Sequence, residues 1–397
     1  MIRTERLHVL YHGRKVGTMA LYKGRLAAFE YDDEWLQSGF SISPFSLPLE
    51  KKVFLPKLDP FEGIFGVFAD SLPDGWGRLL VDRLMLKNHV NPHEIGNLTR
   101  LSIVGHSGMG ALCYEPEQHF DITDTKMDLD EIAAECSRIL KSEYTDNLDE
   151  LYRLGGLSGG ARPKILTQIN GEDWIIKFPS SSDDENIGRQ EYEYSLCAKE
   201  CGIEMEETRL FPSGYCNGYF GTRRYDRKRQ KDGREERVHM ISAAALLETS
   251  HRIPNLDYNI LMKLTLELTK DFKEIEKLYR LMCFNVFAHN RDDHSKNFTY
   301  LYREEEGRWV LSPAYDLTYS YSLGGEHATT VHGNGKNPGM EDILAVGADI
   351  GMSKACAKNI AEEVKTCVEE RLAEYLAETS PQSLKSIYPI AYNYSYM

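Results

Sequence analysis

Hydrophobic and polar positions change period along this chain, and the change divides it. In LHVLYHGRKVGTMALYKGRLAAFEY (7–31) short alternating runs are broken by HGRK and KGR, two hairpin signals, so the first 115 or so residues read as β-rich. A helix, WGRLLVDRLML, follows the turn Pro73-Asp74-Gly75. The stretch closes with GHSGMGALCYEP, whose Gly105, Gly108 and Gly110 do not match a dinucleotide fingerprint and read as a turn into a strand. Residues 116–150 are polar and acidic with one amphipathic helix, LDEIAAECSRIL, and read as a connector. Next comes a hairpin, ILTQINGEDWIIKF, turning at Asn170-Gly171, and then a helix, EYEYSLCAKECGI, ended by Gly202. Beyond residue 240 the period is helical: AALLETS, NILMKLTLELTK and EKLYRLMCFNVFAH all carry it. Ile360, Val364, Val368, Leu372 and Leu376 repeat every four residues as one core-facing stripe. A smaller β-rich part before a larger helical part predicts an α+β, bilobal architecture.

Length and composition narrow the function. At 397 residues the chain holds two to three domains, and 42% hydrophobic with 27% charged residues is the balance of a globular protein. Lys plus Arg is 47 and Asp plus Glu is 61, a net charge of −14 that repels nucleic acid unless a basic patch or a partner intervenes. No apolar run is long enough for a membrane span, and the charged N-terminus MIRTERLHVLYHGRKVG is not a signal peptide. Eight cysteines without a CxxC pair make no disulfide framework and fit reduced thiols in a cytosol. Cys197 and Cys201, four apart on a helix, are too little for a metal site by themselves.

The densest polar cluster is FAHNRDDHSKNFTYLY (287–302), behind an apolar helix and before an alternating strand. Asp292 and Asn297 have the D-x-x-x-x-N spacing of the protein-kinase catalytic loop, where the Asp orients a hydroxyl and accepts its proton and the Asn binds Mg²⁺. That spacing alone is common. The continuation FTYLYREEEGRWVLSPAYDL reads as a hairpin turning at EEEG and ending in Tyr315-Asp316-Leu317, where a kinase has Asp-Phe-Gly. Upstream, LGGLSGGARPK offers free backbone N–H groups to phosphate, with Arg162 and Lys164 beside them. Lys177, in WIIKF, lies on the second strand of the hairpin, and Glu191 begins the next helix, so an ion pair between them fits. Each piece has a structural explanation: a turn-capping Asp292-Asp293 pair, a solvated Lys177, an exposed helix face at Glu191 and Glu193, a glycine linker. All four in this order point to phosphoryl transfer.

With those residues in place the chain resembles the HipA-type serine/threonine kinases, toxins of bacterial toxin–antitoxin modules. The resemblance rests on SGGARPK (158–164), IIKFP (175–179), the helix from Glu191 to Gly202, RRYDR (223–227), NRDDHSKNF (290–298) and LSPAYDL (311–317). FEGIFGVFADSLPDGWGR (61–78) is similar to the family's N-terminal subdomain, so nearly the whole chain is covered. The resemblance implies an N-terminal subdomain over 1–115, an N-lobe over 116–240 and a helical C-lobe over 241–397. It implies Asp292 as catalytic base and Asn297 and Asp316 as Mg²⁺ ligands. Gly159, Gly160, Ala161, Arg162, Pro163 and Lys164 would form the phosphate loop, with Lys177 on the α- and β-phosphates and Glu191 as its ion-pair partner. Arg223, Arg224 and Tyr225 would be the adenine-binding hinge, acting through backbone, and His294, Ser295, Lys296 and Tyr315 would line the ATP site.

The partners it implies are a protein substrate connected with translation and a helix-turn-helix antitoxin of HipB type that brings the chain to DNA indirectly. No membrane is involved. Two other readings stay open on the residues, a catalytically weak kinase fold serving as a binding subunit and a kinase for a lipid or small molecule. Known members autophosphorylate a serine just before the loop; Leu157 stands at that place here and Ser158 one residue later, so Ser158 is the candidate. The basic run RRYDRKRQKDGREERVH reads as a solvated hairpin with its tip at Asp232-Gly233, and tyrosines 392, 394 and 396 receive no function.

Overall fold

The computed structural model describes residues 3–120, 126–229, 233, 235–321 and 324–377. The N-terminal part is an antiparallel five-stranded sheet in the order Val53–Phe54, Leu26–Tyr31, Arg14–Tyr22, Arg6–Tyr11, Leu112–Glu115. Its two hairpins turn at His12-Gly13 and Lys23-Gly24, all four at positive φ; the first is a two-residue loop between Tyr11 and Arg14, and the second takes in Arg25 before Leu26 pairs with Tyr22. The helix after the Pro-Asp-Gly turn runs over Gly75–Lys87.

A second antiparallel sheet, ordered Lys164–Ile169, Glu172–Lys177, Tyr219–Arg223, Thr208–Phe211, forms the upper lobe with the helix Ile187–Glu200 against it. That helix starts one turn before the expected position, which puts Glu191 inside it rather than at its start. Residues 129–140 are not part of a mere connector. The helix Leu129–Leu140, started by a capping box between Asp128 and Glu131, buries Ile132, Cys136 and Ile139 in the upper-lobe core beside Ile165, Ile176 and Phe178. Trp76, Leu80 and Leu84 of the N-terminal part complete the same core.

The lower lobe holds the hairpin Thr299–Arg303 and Arg308–Leu311, paired to Met240–Ser242, with helices Tyr258–Thr269, Phe272–Phe287, Met340–Asp349 and Lys354–Arg371. The hairpin turns at Gly307 as expected, and Ile360, Val364, Val368 and Leu372 are buried as one stripe. Its core runs without a break into the N-terminal sheet. The N-terminal part therefore grips both lobes, one through its sheet and the other through its helix.

The basic run is a hairpin, Arg227–Arg229 with Glu235–Arg237, but it is not simply solvated. Arg227 and Arg237 turn back and donate to the carbonyls of Gly108 and Gly110 at 2.8–3.2 Å, so the glycine stretch supplies acceptors that join two parts of the molecule. Asp232 and the C-terminal tyrosines lie outside the described residues.

Candidate active site

Between the lobes lies a cavity of about 600 Å³ into which the expected residues converge from far apart in sequence. Lys177, paired in register with Lys164, is buried at the end of its strand and donates to both Glu191 and Asp316. Burial alone would depress its ammonium pKa, but the two carboxylates outweigh that and hold it above the usual value. Asp316, at positive φ, is held far below the carboxylate range: desolvation opposes ionisation, and Lys177 and Lys164 overcome it. Among the described residues Lys164 has no ion pair of that kind, and burial lowers its pKa. Arg162 spans Asp183, at 3.1 Å, and Glu191, at 3.7 Å.

The catalytic-loop candidate leaves the helix Phe272–Phe287 and crosses the cavity floor. Its two aspartates divide. Asp292 faces the cavity with its side chain 64% exposed, while Asn297 Nδ2 donates to the Asp292 carbonyl at 2.7 Å and closes the loop. The Asp292 carboxyl is nonetheless raised above the usual range, first by desolvation in the cleft; His294 pulls it down and Asp316 pushes it up. Asp293 is buried and accepts from Tyr258 Oη at 2.9 Å, the Thr329 amide at 3.2 Å and, across 3.0 Å, pairs with His327 Nδ1. Tyr258, His327 and Thr329 are supporting residues that no sequence spacing announced.

The phosphate-loop candidate folds over the cavity from the other side, with Gly160 at φ +86°. A carboxylate missed from the sequence holds it. Asp74, in the Pro-Asp-Gly turn, accepts from the Gly160 amide through one oxygen and from Lys296 Nζ, at 2.5 Å, through the other. The Gly160 carbonyl accepts from the Trp76 amide at 2.9 Å, and a Cβ on Gly75 would stand 2.3 Å from that same carbonyl oxygen. Ser158 is 1% exposed and its hydroxyl donates to the Gly155 carbonyl at 2.6 Å. Ser158 borders the cavity, but its hydroxyl is committed to Gly155.

Three expected residues do not line the cavity. Pro163 turns its carbonyl to the Phe178 amide, and Ser295 is buried beneath the loop. Arg224 is committed to a buried, two-bond ion pair with Asp226 at 2.8–2.9 Å. The hinge is partly occupied as well, because the amides of Arg223 and Arg224 donate to the carbonyls of Glu207 and Asp173. Arg223 and Tyr225 do reach the cavity. Tyr225 stacks on Tyr315 (centroids 5.2 Å apart), and Tyr315 donates to the Lys296 carbonyl at 2.6 Å. Gly159, Ala161, Arg162, His294 and Lys296 line it as expected.

A strand lysine bonded to a helix glutamate, facing a D-x-x-x-x-N loop and a hairpin aspartate across an interlobe cleft, defines a bilobal protein-kinase-like fold. Residues 7–115 match the HipA N-terminal domain and residues 157–372 the HipA-like C-terminal domain, the second alone more than half of the chain. The chain belongs to the HipA family. It superposes on HipA of Shewanella oneidensis MR-1, in a complex of HipA, HipB and operator DNA, with a TM-score of 0.67 at 16% identity over 96% of this chain and 93% of that one. At that identity the likeness is one of fold. The Helicobacter pylori proinflammatory kinase CtkA gives a TM-score of 0.36 at 13% identity over 56% of this chain and 95% of that one. No curated protein matches the chain in sequence. No helix among the described residues is long and apolar enough to cross a membrane.

Proposed function

We propose that this chain is an ATP- and Mg²⁺-dependent kinase that transfers the γ-phosphoryl group to a serine or threonine of a protein, as the toxin of a toxin–antitoxin pair. The observation that carries this reading is the convergence of Lys177, Asp292, Asn297, Asp316 and the 159–162 loop on one cavity. Asn297 and Asp316 present hard oxygen donors of the kind Mg²⁺ takes, so the residues fit the ion. Bound there, Mg²⁺ would supply charge neutralisation for the phosphate oxygens. Lys177 would exchange Asp316 for phosphate oxygens while keeping Glu191. Gly159 and Gly160 would offer backbone N–H groups. Asp292 would orient the substrate hydroxyl and accept its proton.

Purified protein with Mg²⁺ and labelled ATP is expected to phosphorylate itself or a protein in a lysate, and Asp292→Asn to cut the rate about 10²–10⁴-fold. Equal rates in both proteins would overturn the reading. Phosphopeptide mapping of the same samples would test Ser158. A charge of −14 supports an indirect route to DNA through a helix-turn-helix antitoxin, the relation suggested by the Shewanella complex. Tight, salt-sensitive operator binding by the isolated chain would contradict that route.

A further inference from the structure

Away from the cleft, the helix that carries Glu191 meets the long lower-lobe helix Lys354–Arg371 at three cysteines. Cys197 and Cys201 lie one turn apart on the first helix and its end, and Cys367 comes from the second, 170 residues after Cys197. Their three Sγ atoms all lie within 4.8 Å of one another. Cys197 and Cys201 are buried and Cys367 is half-buried, so the cluster has an apolar floor and one side open to solvent. The packing is tight around it: Cys201 Sγ is 4.0 Å from the Val364 carbonyl oxygen and Cys367 Sγ 3.9 Å from that of Cys197.

We propose that Cys197, Cys201 and Cys367 bind one thiophilic cation of the Cu(I) type as three thiolates. Three sulfurs around an ion at about 2.3 Å are about 4 Å apart, a spacing this cluster reaches with sub-ångström shifts. Among the described residues no fourth His, Cys, Asp or Glu ligand atom falls within the same span. A soft donor set of three favours an ion content with three ligands over Zn²⁺, which asks for a fourth. Binding releases the three thiol protons and changes no oxidation state. The ion would join the Glu191 helix to the lower lobe, six residues along from Glu191 itself. The site does not depend on the kinase reading.

The full chain, reduced and freed of reductant without oxygen, is titrated with Cu(I) held in a coloured chelator. One equivalent is expected to leave the chelator for the protein. Cys367→Ser should bind at least about a hundredfold more weakly, since it removes a direct ligand. Cys356→Ser, a cysteine on the same helix outside the cluster, should bind as the parent does. Because Cys367 is half-buried at the rim, its serine variant is expected to fold, and circular dichroism checks that. No uptake by the parent chain would show that the thiols are only packing groups, and equal uptake by Cys367→Ser would overturn the three-thiolate site. Preference for Zn²⁺ over Cu(I) would overturn the assignment of the ion. With the ion bound, amide exchange over residues 192–200 should slow; unchanged exchange would overturn the joining of the two helices.

Discussion

The catalytic-loop and phosphate-loop candidates face each other across one cavity, yet they are held in opposite ways. The first is anchored from beneath by its own lobe, through Asp293 and its bonds to Tyr258, His327 and Thr329, all buried. The second is held from outside, by Asp74, Gly75 and Trp76 of the N-terminal part. A loop anchored within its own core moves only if that core opens. A loop clamped by another part can be freed by shifting that part. The difference predicts a stiffer Asp292 loop and a more readily released 159–162 loop.

The sharpest way to break the contrast is to remove the buried anchor. Asp293→Ala leaves Tyr258 and His327 without the carboxylate they share, and loss of one partner from a buried, hydrogen-bonded network costs roughly 3–5 kcal/mol. Urea denaturation should show a lowered midpoint with the slope unchanged. A midpoint equal to the parent's would mean that the loop draws its order from elsewhere.

A smaller effect should follow from the joint that seats the N-terminal part. His239 is buried between Phe40 and Trp309 (centroids 5.7 and 5.4 Å), with Nε2 2.9 Å from the Ile42 carbonyl oxygen. Burial pushes its pKa down to about 4, with the Ile42 bond opposing. The unfolded chain then binds a proton below about 6.5 that the folded one refuses, so this stabilisation is full above that pH and drains as pH falls towards 4. Between pH 7 and 5 the loss is about 2 kcal/mol. Denaturation of parent and His239→Gln at both values checks it: the parent's acid loss should exceed the variant's by that amount. Equal losses would remove His239 from the account.

Which of these features the sequence could show follows from their range. The hairpins at His12-Gly13, Lys23-Gly24 and Asn170-Gly171 were legible because each turn is written in adjacent residues that accept positive φ. The Lys177–Glu191 pair was legible because its members stand in the order of a known chemistry, whereas the bond from Lys177 to Asp316 was not expected. Asp292 and Asp293, by contrast, are adjacent and chemically identical; only the fold turns one to the cavity and the other into the core. Asp74 meets Lys296 across 222 residues, and nothing local in a Pro-Asp-Gly turn announces that. The helix 129–140 showed its apolar face but not what would cover it, hence its mistaken reading as a connector. Pro163, Arg224 and Ser295 lie within the right segments yet point elsewhere, since a motif fixes neighbourhood and not side-chain direction.

The mildest perturbation tests the clamp itself. Asp74 binds the Gly160 amide with one oxygen and Lys296 with the other; under the proposed function a nucleotide phosphate would use the same two groups, so its carboxylate would compete with phosphate. Desolvation raises its pKa, but Lys296 and the Gly160 amide prevail and hold it below the usual range. A depressed pKa means the contact is complete above the ordinary carboxylate value and fails only as pH falls through the lower one, so assays near neutrality meet it intact. Asp74→Asn keeps an oxygen for Gly160 and removes the charge that Lys296 answers. ATP binding by calorimetry should tighten about three- to tenfold, near the worth of one such bond, with stability changed by about 1 kcal/mol or less. Weaker binding would reverse the assignment: Asp74 would then be shaping the loop for phosphate instead of occupying its place, and the two loops would be held to the same end.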